Sequence, residues 1–87
     1  MSWRIEFTRA AAKQIRALDP ALQARIHRAI TDKLLLDPRA HLLPLQGELR
    51  GVCKFRVGPV RLLCIRRDKH LLITVVKVAR RRDAYRR

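Results

Sequence analysis

Apolar and charged residues alternate from Trp3 to Phe7, the period of a half-buried strand. The period then lengthens. Thr8 offers an N-cap, and Ala11, Ile15 and Leu18 fall on one face of a helix running to about Leu18. Asp19-Pro20 restarts the chain, with Asp as N-cap and Pro at the first helical position. Leu22, Ile26, Ala29, Ile30 and Leu34 keep helical spacing through a second helix that ends near Asp37-Pro38. So short a break between two helices predicts an antiparallel α-hairpin. Residues 39–50 read as a loop with Pro44 and Gly47, and with Leu42, Leu43, Leu45 and Leu49 available to plug the core edge. Three strands follow, at about 52–57, 60–66 and 71–79. Gly58-Pro59 joins the first two as a two-residue turn with glycine first, as a type II′ turn requires. Arg67 to His70 makes a looser turn. The expected fold is α+β in the order β-α-α-β-β-β, a small, mostly antiparallel sheet with the α-hairpin on one face. All 87 residues read as one domain, without internal repeat or low-complexity segment.

A two-residue loop at 58–59 also sets the hairpin register. Val57–Val60, Phe55–Leu62 and Cys53–Cys64 share one face, which is apolar and must be the core side. Arg56–Arg61, Lys54–Leu63 and Val52–Ile65 share the other. A slip of one residue would drive the cations into the core, so the register is well specified. The price is two guanidinium groups directly opposed across a ladder, an arrangement that destabilises a hairpin. The third strand runs back antiparallel, returning Lys77 and the start of the basic tail to the same corner. Lys54, Arg56, Arg61, Lys77 and Arg80 to Arg82 are therefore expected near one concave face.

Charge strengthens this reading. The formal net charge is +14. Residues 1–50 hold 9 basic and 5 acidic side chains, net +4; residues 51–87 hold 12 and 2, net +10. Such a field attracts polyanions, nucleic acid first among them, with an anionic membrane surface or an acidic protein as competitors. A solvated cationic strand face is the ordinary explanation of a charge run. Opposed arginines on one face argue beyond it, because a bound phosphate would reverse the sign of their repulsion and suits the planar fork of arginine. Two cysteines make neither a disulfide framework nor a zinc site. Trp3, Arg4 and Glu6 interrupt any apolar signal segment, and the longest apolar run is too short to span a bilayer. A cytoplasmic location with reduced thiols is expected.

Several stretches then resemble a known family. IEFTRAAAKQIRALDP, followed by LQGELRGVCKFRVGPVRLLCIRRDKHLLITVVKVARRRDAY, resembles the RelE/ParE superfamily of bacterial type II toxin–antitoxin toxins, and most of all its RelE branch. FRVGPVRLL is similar to the family's arginine-bearing hairpin, and RRRDAY to its C-terminal Arg-x-x-x-Tyr ending. The resemblance implies a ribosome-dependent endonuclease that cuts mRNA in the A site. It also implies a cognate antitoxin whose acidic or amphipathic segment wraps the toxin. The ParE branch, which poisons DNA gyrase by binding, is the alternative, and a catalytically idle nucleic-acid-binding relative is a third.

Carried over position by position, the resemblance makes Lys54, Arg61, Arg81 and Tyr85 the catalytic set. Arg56, with Lys77, Arg80 and Arg82, would hold RNA phosphate. Many relatives have histidine where this chain has Arg80, so the chemistry is written without histidine. Cleavage needs a base for the 2′-hydroxyl proton, an acid for the leaving 5′-oxygen and positive charge on the phosphorane. Lys54, crowded by arginines that favour its neutral amine, takes the first role. Arg56 and Arg61 clamp the phosphate, Arg81 serves the leaving oxygen, and Tyr85 stacks on a base or holds the nucleophile. No metal or other cofactor is expected. His27 reads as a solvated helix residue, His41 as a loop residue with no evident partner, and His70 as lying at the wrong end of its strand. Trp3 and the two cysteines read as packing, and Asp83 as an arginine's partner.

Overall fold

The computed structural model of the protein describes residues 2–44 and 51–80. Strand β1, Arg4–Phe7, leads into helix α1, Arg9–Arg16. The Thr8 hydroxyl accepts a hydrogen bond from the Ala11 N–H at 3.1 Å, satisfying one donor that a helix start leaves open. Helix α2, Pro20–Ala29, is capped in the same way, with the Asp19 carboxylate accepting from the Leu22 N–H at 2.9 Å. Both starts fall where the sequence places them.

The end of the second helix does not. From Ile30 to Leu34 the chain widens into a π-turn, and the Leu35 N–H reaches the Ile30 carbonyl five residues back at 2.9 Å. The apolar spacing supplies a reason. Leu22, Ile26, Ile30 and Leu34 are each four residues apart, and at 3.6 residues per turn such a series drifts around an α-helix. A wider turn corrects the drift, and Leu34 is fully buried. The expected loop 39–50 also begins with structure. Helix α3, Pro38–His41, starts on an Asp-Pro pair just as α2 does, the Asp37 carboxylate accepting from the Ala40 N–H at 3.3 Å. Strand β2, Leu43–Pro44, follows. Leu42 plugs the core as expected, whereas Leu43 is 55% exposed. Leu45 and Leu49 lie outside the described residues.

Strands β3, Val52–Val57, β4, Val60–Arg67, and β5, Leu72–Arg80, complete a five-stranded sheet in the order β1-β5-β4-β3-β2. Only the β1–β5 pair is parallel. Every pairing expected across the hairpin is found, Arg56 opposite Arg61 included. Gly58 has φ +55°, as the first corner of a II′ turn needs. The helix-facing row of Phe55, Val57, Val60, Leu62, Cys64, Ile73, Val75 and Val78 packs against Ala11, Leu22, Ile26, Ile30 and Leu34. None of the described helices is long and apolar enough to cross a membrane.

One irregularity matters for the site. Leu63 pairs with Lys77, but Cys64 pairs with Val75, so Val76 is an extra residue in β5. Strict alternation would put Lys77 on the face of Ile73 and Val75, both fully buried. The bulge turns Lys77 out and buries Val78 instead. Helix α1 serves the disturbed backbone: the Gln14 side-chain oxygen accepts from the Val78 N–H at 2.7 Å, and the Thr8 hydroxyl donates to the Val76 carbonyl at 3.4 Å.

Cys53 and Cys64 face each other as free thiols. Burial first, and then the neighbouring Cys53, raises the Cys64 thiol from 9.0 to about 12. A raised value means the folded state favours the neutral thiol. That stabilisation is complete below 9.0 and is lost as pH climbs from there towards about 12. Iodoacetamide at pH 8 should therefore alkylate Cys53 well before Cys64 in the folded protein, as peptide mass spectrometry would show. Equal rates would mean that β4 opens readily.

Candidate phosphate-binding site

The site stands on the sheet face away from the helices. Lys54 and Arg56 are two apart on β3, so both point the same way. Arg61 is the register partner of Arg56 on β4. Together with Leu43 of β2 these three side chains line a cavity of about 70 Å³. That is room for a small anion and not for a nucleobase. Lys54 and Arg61 are half-buried, while Arg56 is exposed. Three cations converge on one small cavity, an arrangement suited to a tetrahedral oxyanion.

Lys77 joins this face through the bulge, two strands beyond Lys54 in the row Lys54–Leu63–Lys77. Arg80 does not. Its register partner is Val60, in the helix-facing row, and it lines a separate cleft with Asp19, Ala21, Leu22, Arg25 and Pro59. The expectation that Arg80 shares the concave face is corrected by the same bulge, which shifts by one the parity of all that follows Val76. Arg81, Arg82 and Tyr85 lie outside the described residues, as does Asp83.

Two contributors escaped the sequence reading. Leu43 closes the cavity because β2 pairs with Lys54 and Cys53 at the sheet edge, and a two-residue strand leaves no periodic signal. Arg25 reaches the hairpin from α2: a Cβ placed on Gly58 would stand 2.7 Å from its guanidinium nitrogen. Its trace in the sequence was the basic polar face of α2, where Arg25 and Arg28 are three apart. His41, read as partnerless, is half-buried and meets Phe55 edge to face at 6.5 Å. His27 and His70 are exposed, and Trp3 packs against the core as expected.

A site of this kind should respond to anions. Sulfate should raise the melting temperature beyond what chloride does at equal ionic strength, because it binds the folded state. The excess should largely vanish in Arg56→Ala/Arg61→Ala. An unchanged sulfate response in that variant would remove the opposed arginines as an anion site.

Comparison with known proteins agrees with this geometry. The model of the ParE toxin family, toxins of type II toxin–antitoxin systems, matches residues 5–85. Toxin RelG of Mycobacterium tuberculosis strain H37Rv is 31% identical over 87 residues, the full length of both chains. The toxin–antitoxin complex RelBE2 from Mycobacterium tuberculosis contains a chain with 26% identity and a TM-score of 0.85, over 92% of this chain and 99% of that one. The isolated Escherichia coli RelE toxin has the same fold, with a TM-score of 0.74 at 21% identity over 90% of this chain and 83% of the other. The fold, the basic hairpin and these matches together place the chain in the ParE toxin family of the RelE/ParE superfamily, as a toxin of a type II toxin–antitoxin system.

Proposed function

We propose that this toxin is an endoribonuclease that cuts mRNA in the ribosomal A site without a metal and so halts translation in the cytoplasm. The observation that carries the reading is the convergence of Lys54, Arg56 and Arg61 on one anion-sized cavity. Lys54 takes the proton of the 2′-hydroxyl. The 2′-oxygen attacks the adjacent phosphorus, and the bond from phosphorus to the 5′-oxygen breaks. Arg56 and Arg61 hold the non-bridging oxygens as charge grows on the phosphorane, where preorganised donors count most. Arg81 meets the leaving oxygen and Tyr85 stacks on a base, roles that follow from the family resemblance. Lys77 and Arg82 add charge along the path of the RNA, whereas Arg80 stands on the helix side of the sheet.

The same excess of positive charge favours an acidic partner, and the family resemblance makes that partner a cognate antitoxin that wraps the protein with an acidic or amphipathic segment. Gyrase inhibition is the second reading, favoured by the match to the ParE family. Primer extension on mRNA translated in a purified system, with gyrase supercoiling assayed in parallel, separates the two. Codon-phased cuts that need the ribosome are expected. Intact mRNA with supercoiling blocked would overturn the nuclease in favour of gyrase, and neither effect would leave an idle nucleic-acid binder.

A further inference from the structure

A second, larger cleft adjoins the anion cavity on the other side of the β3 edge, where α2 and the π-turn pass over the sheet. Its volume is about 400 Å³. Ala29, Leu43, Phe55 and Val57 make it apolar inside, and His41 stands beside Phe55. Arg25, Arg28, Lys33 and Arg56 contribute cations, against Asp32 alone among the acidic residues of the described lining. All four cations are exposed, and among the described residues none is in an ion pair. Asp32 lies one helical turn beyond Arg28, yet the two form no salt bridge. Lys33 and Asp32 are both carried by the π-turn, which gives the chain a functional as well as a packing reason for widening there.

We infer that this cleft is a nucleotide subsite: it takes the RNA nucleotide next to the scissile phosphate, base inward and phosphate at the rim. The inference rests on the RNA-cleaving reading above. Three features carry it. Arg56 lines both the anion cavity and the cleft, so a strand held at one passes directly into the other. The half-buried His41 ring, with Leu43 and Ala29, offers aromatic and aliphatic surface to a flat base over a floor closed by the buried Phe55 and Val57, the mode by which proteins hold single-stranded RNA. Asp32 can accept from an exocyclic amino group of the base, which an aliphatic pocket could not do. Arg25 is steadied at the mouth because Gly58, having no side chain, lets the guanidinium lie against the hairpin tip. An acidic peptide would be drawn to the rim equally well, and it is the competitor that the titration separates from a nucleotide.

The test titrates the four 5′-mononucleotides, inorganic phosphate and an oligoglutamate peptide into isotope-labelled protein followed by amide NMR. Nucleotides should perturb Ala29, Phe55, Val57 and Gly58 and bind more tightly than phosphate. Arg28→Ala/Lys33→Ala should weaken nucleotide binding by about tenfold, while free phosphate keeps the cavity of Lys54, Arg56 and Arg61. His41→Ala should weaken nucleotides about fivefold and leave phosphate unchanged. Asp32→Ala should level the differences among the four bases. In the translation assay these variants should still cut, with altered preference for the base beside the cut. Nucleotides that bind no better than phosphate, or an oligoglutamate that binds more tightly than any nucleotide, would overturn the inference. So would unaltered base preference in the cleft variants. Nucleotide binding in the cleft by a parent protein that never cuts mRNA would overturn the nuclease reading instead and leave the nucleotide site standing.

Discussion

Arg61→Ala should cut mRNA about 10²–10³-fold more slowly than the parent, ~2.7–4 kcal/mol of transition-state stabilisation, the size of losing one preorganised donor to a developing oxyanion. Arg61 sits on the central strand β4, half-buried, and lines the cavity with Lys54 and Arg56. Half-burial limits the freedom of its side chain, which is what distinguishes a transition-state contact from a mobile surface cation. The loss should appear in the rate of codon-phased cutting, measured by primer extension over time. Circular dichroism should show the variant folded, since the residue lies on the face away from the core. Full cutting by a folded Arg61→Ala protein would take Arg61 out of the site.

Leu62→Ala, one residue along, should fail for a different reason. Leu62 is 0% exposed and points into the core between Phe55 on β3 and Val78 on β5. Truncation leaves a cavity that the neighbouring strands cannot close, at a cost of ~2–5 kcal/mol. In so small a domain that is a large share of a total near 5–15 kcal/mol. Urea unfolding should show the drop in midpoint directly. Cleavage lost at 37 °C should return on cooling, where the variant refolds, whereas Arg61→Ala should stay slow at both temperatures. A loss of under about 1 kcal/mol would mean that β4 is less tightly packed than its burial indicates.

The hairpin was legible in the sequence because two constraints act on the same few residues. Glycine at the first corner of a two-residue turn sets the pairing, and the alternation of Cys53, Phe55 and Val57 with Lys54 and Arg56 sets the face. Neither depends on anything distant. The two helix starts were legible for the same reason, each written in a cap residue and its neighbours. Asp37-Pro38 carries the same signal as Asp19-Pro20, but only four helical residues follow before β2 takes over, too few to leave a helical period in the sequence.

By itself, then, the chain determined the order of β1, α1, α2, β3, β4 and β5, the hairpin register and the opposition of Arg56 and Arg61, all products of contacts between near neighbours in sequence. Tertiary structure decided the rest. The bulge at Val76 sends Lys77 to the cationic face and Arg80 to the helix side, and no pattern within β5 announces it. It arises because Val78 must be buried and because α1, packed alongside, supplies Gln14 and Thr8 to the bulged backbone. The π-turn answers to the sheet in the same way, trading regular hydrogen bonds for the burial of Leu34. Arg25 and Leu43 meet the hairpin only once α2 and β2 close over the edge of β3. Local periodicity is fixed by one element's geometry, whereas these features record a compromise between elements and become visible only when the elements pack.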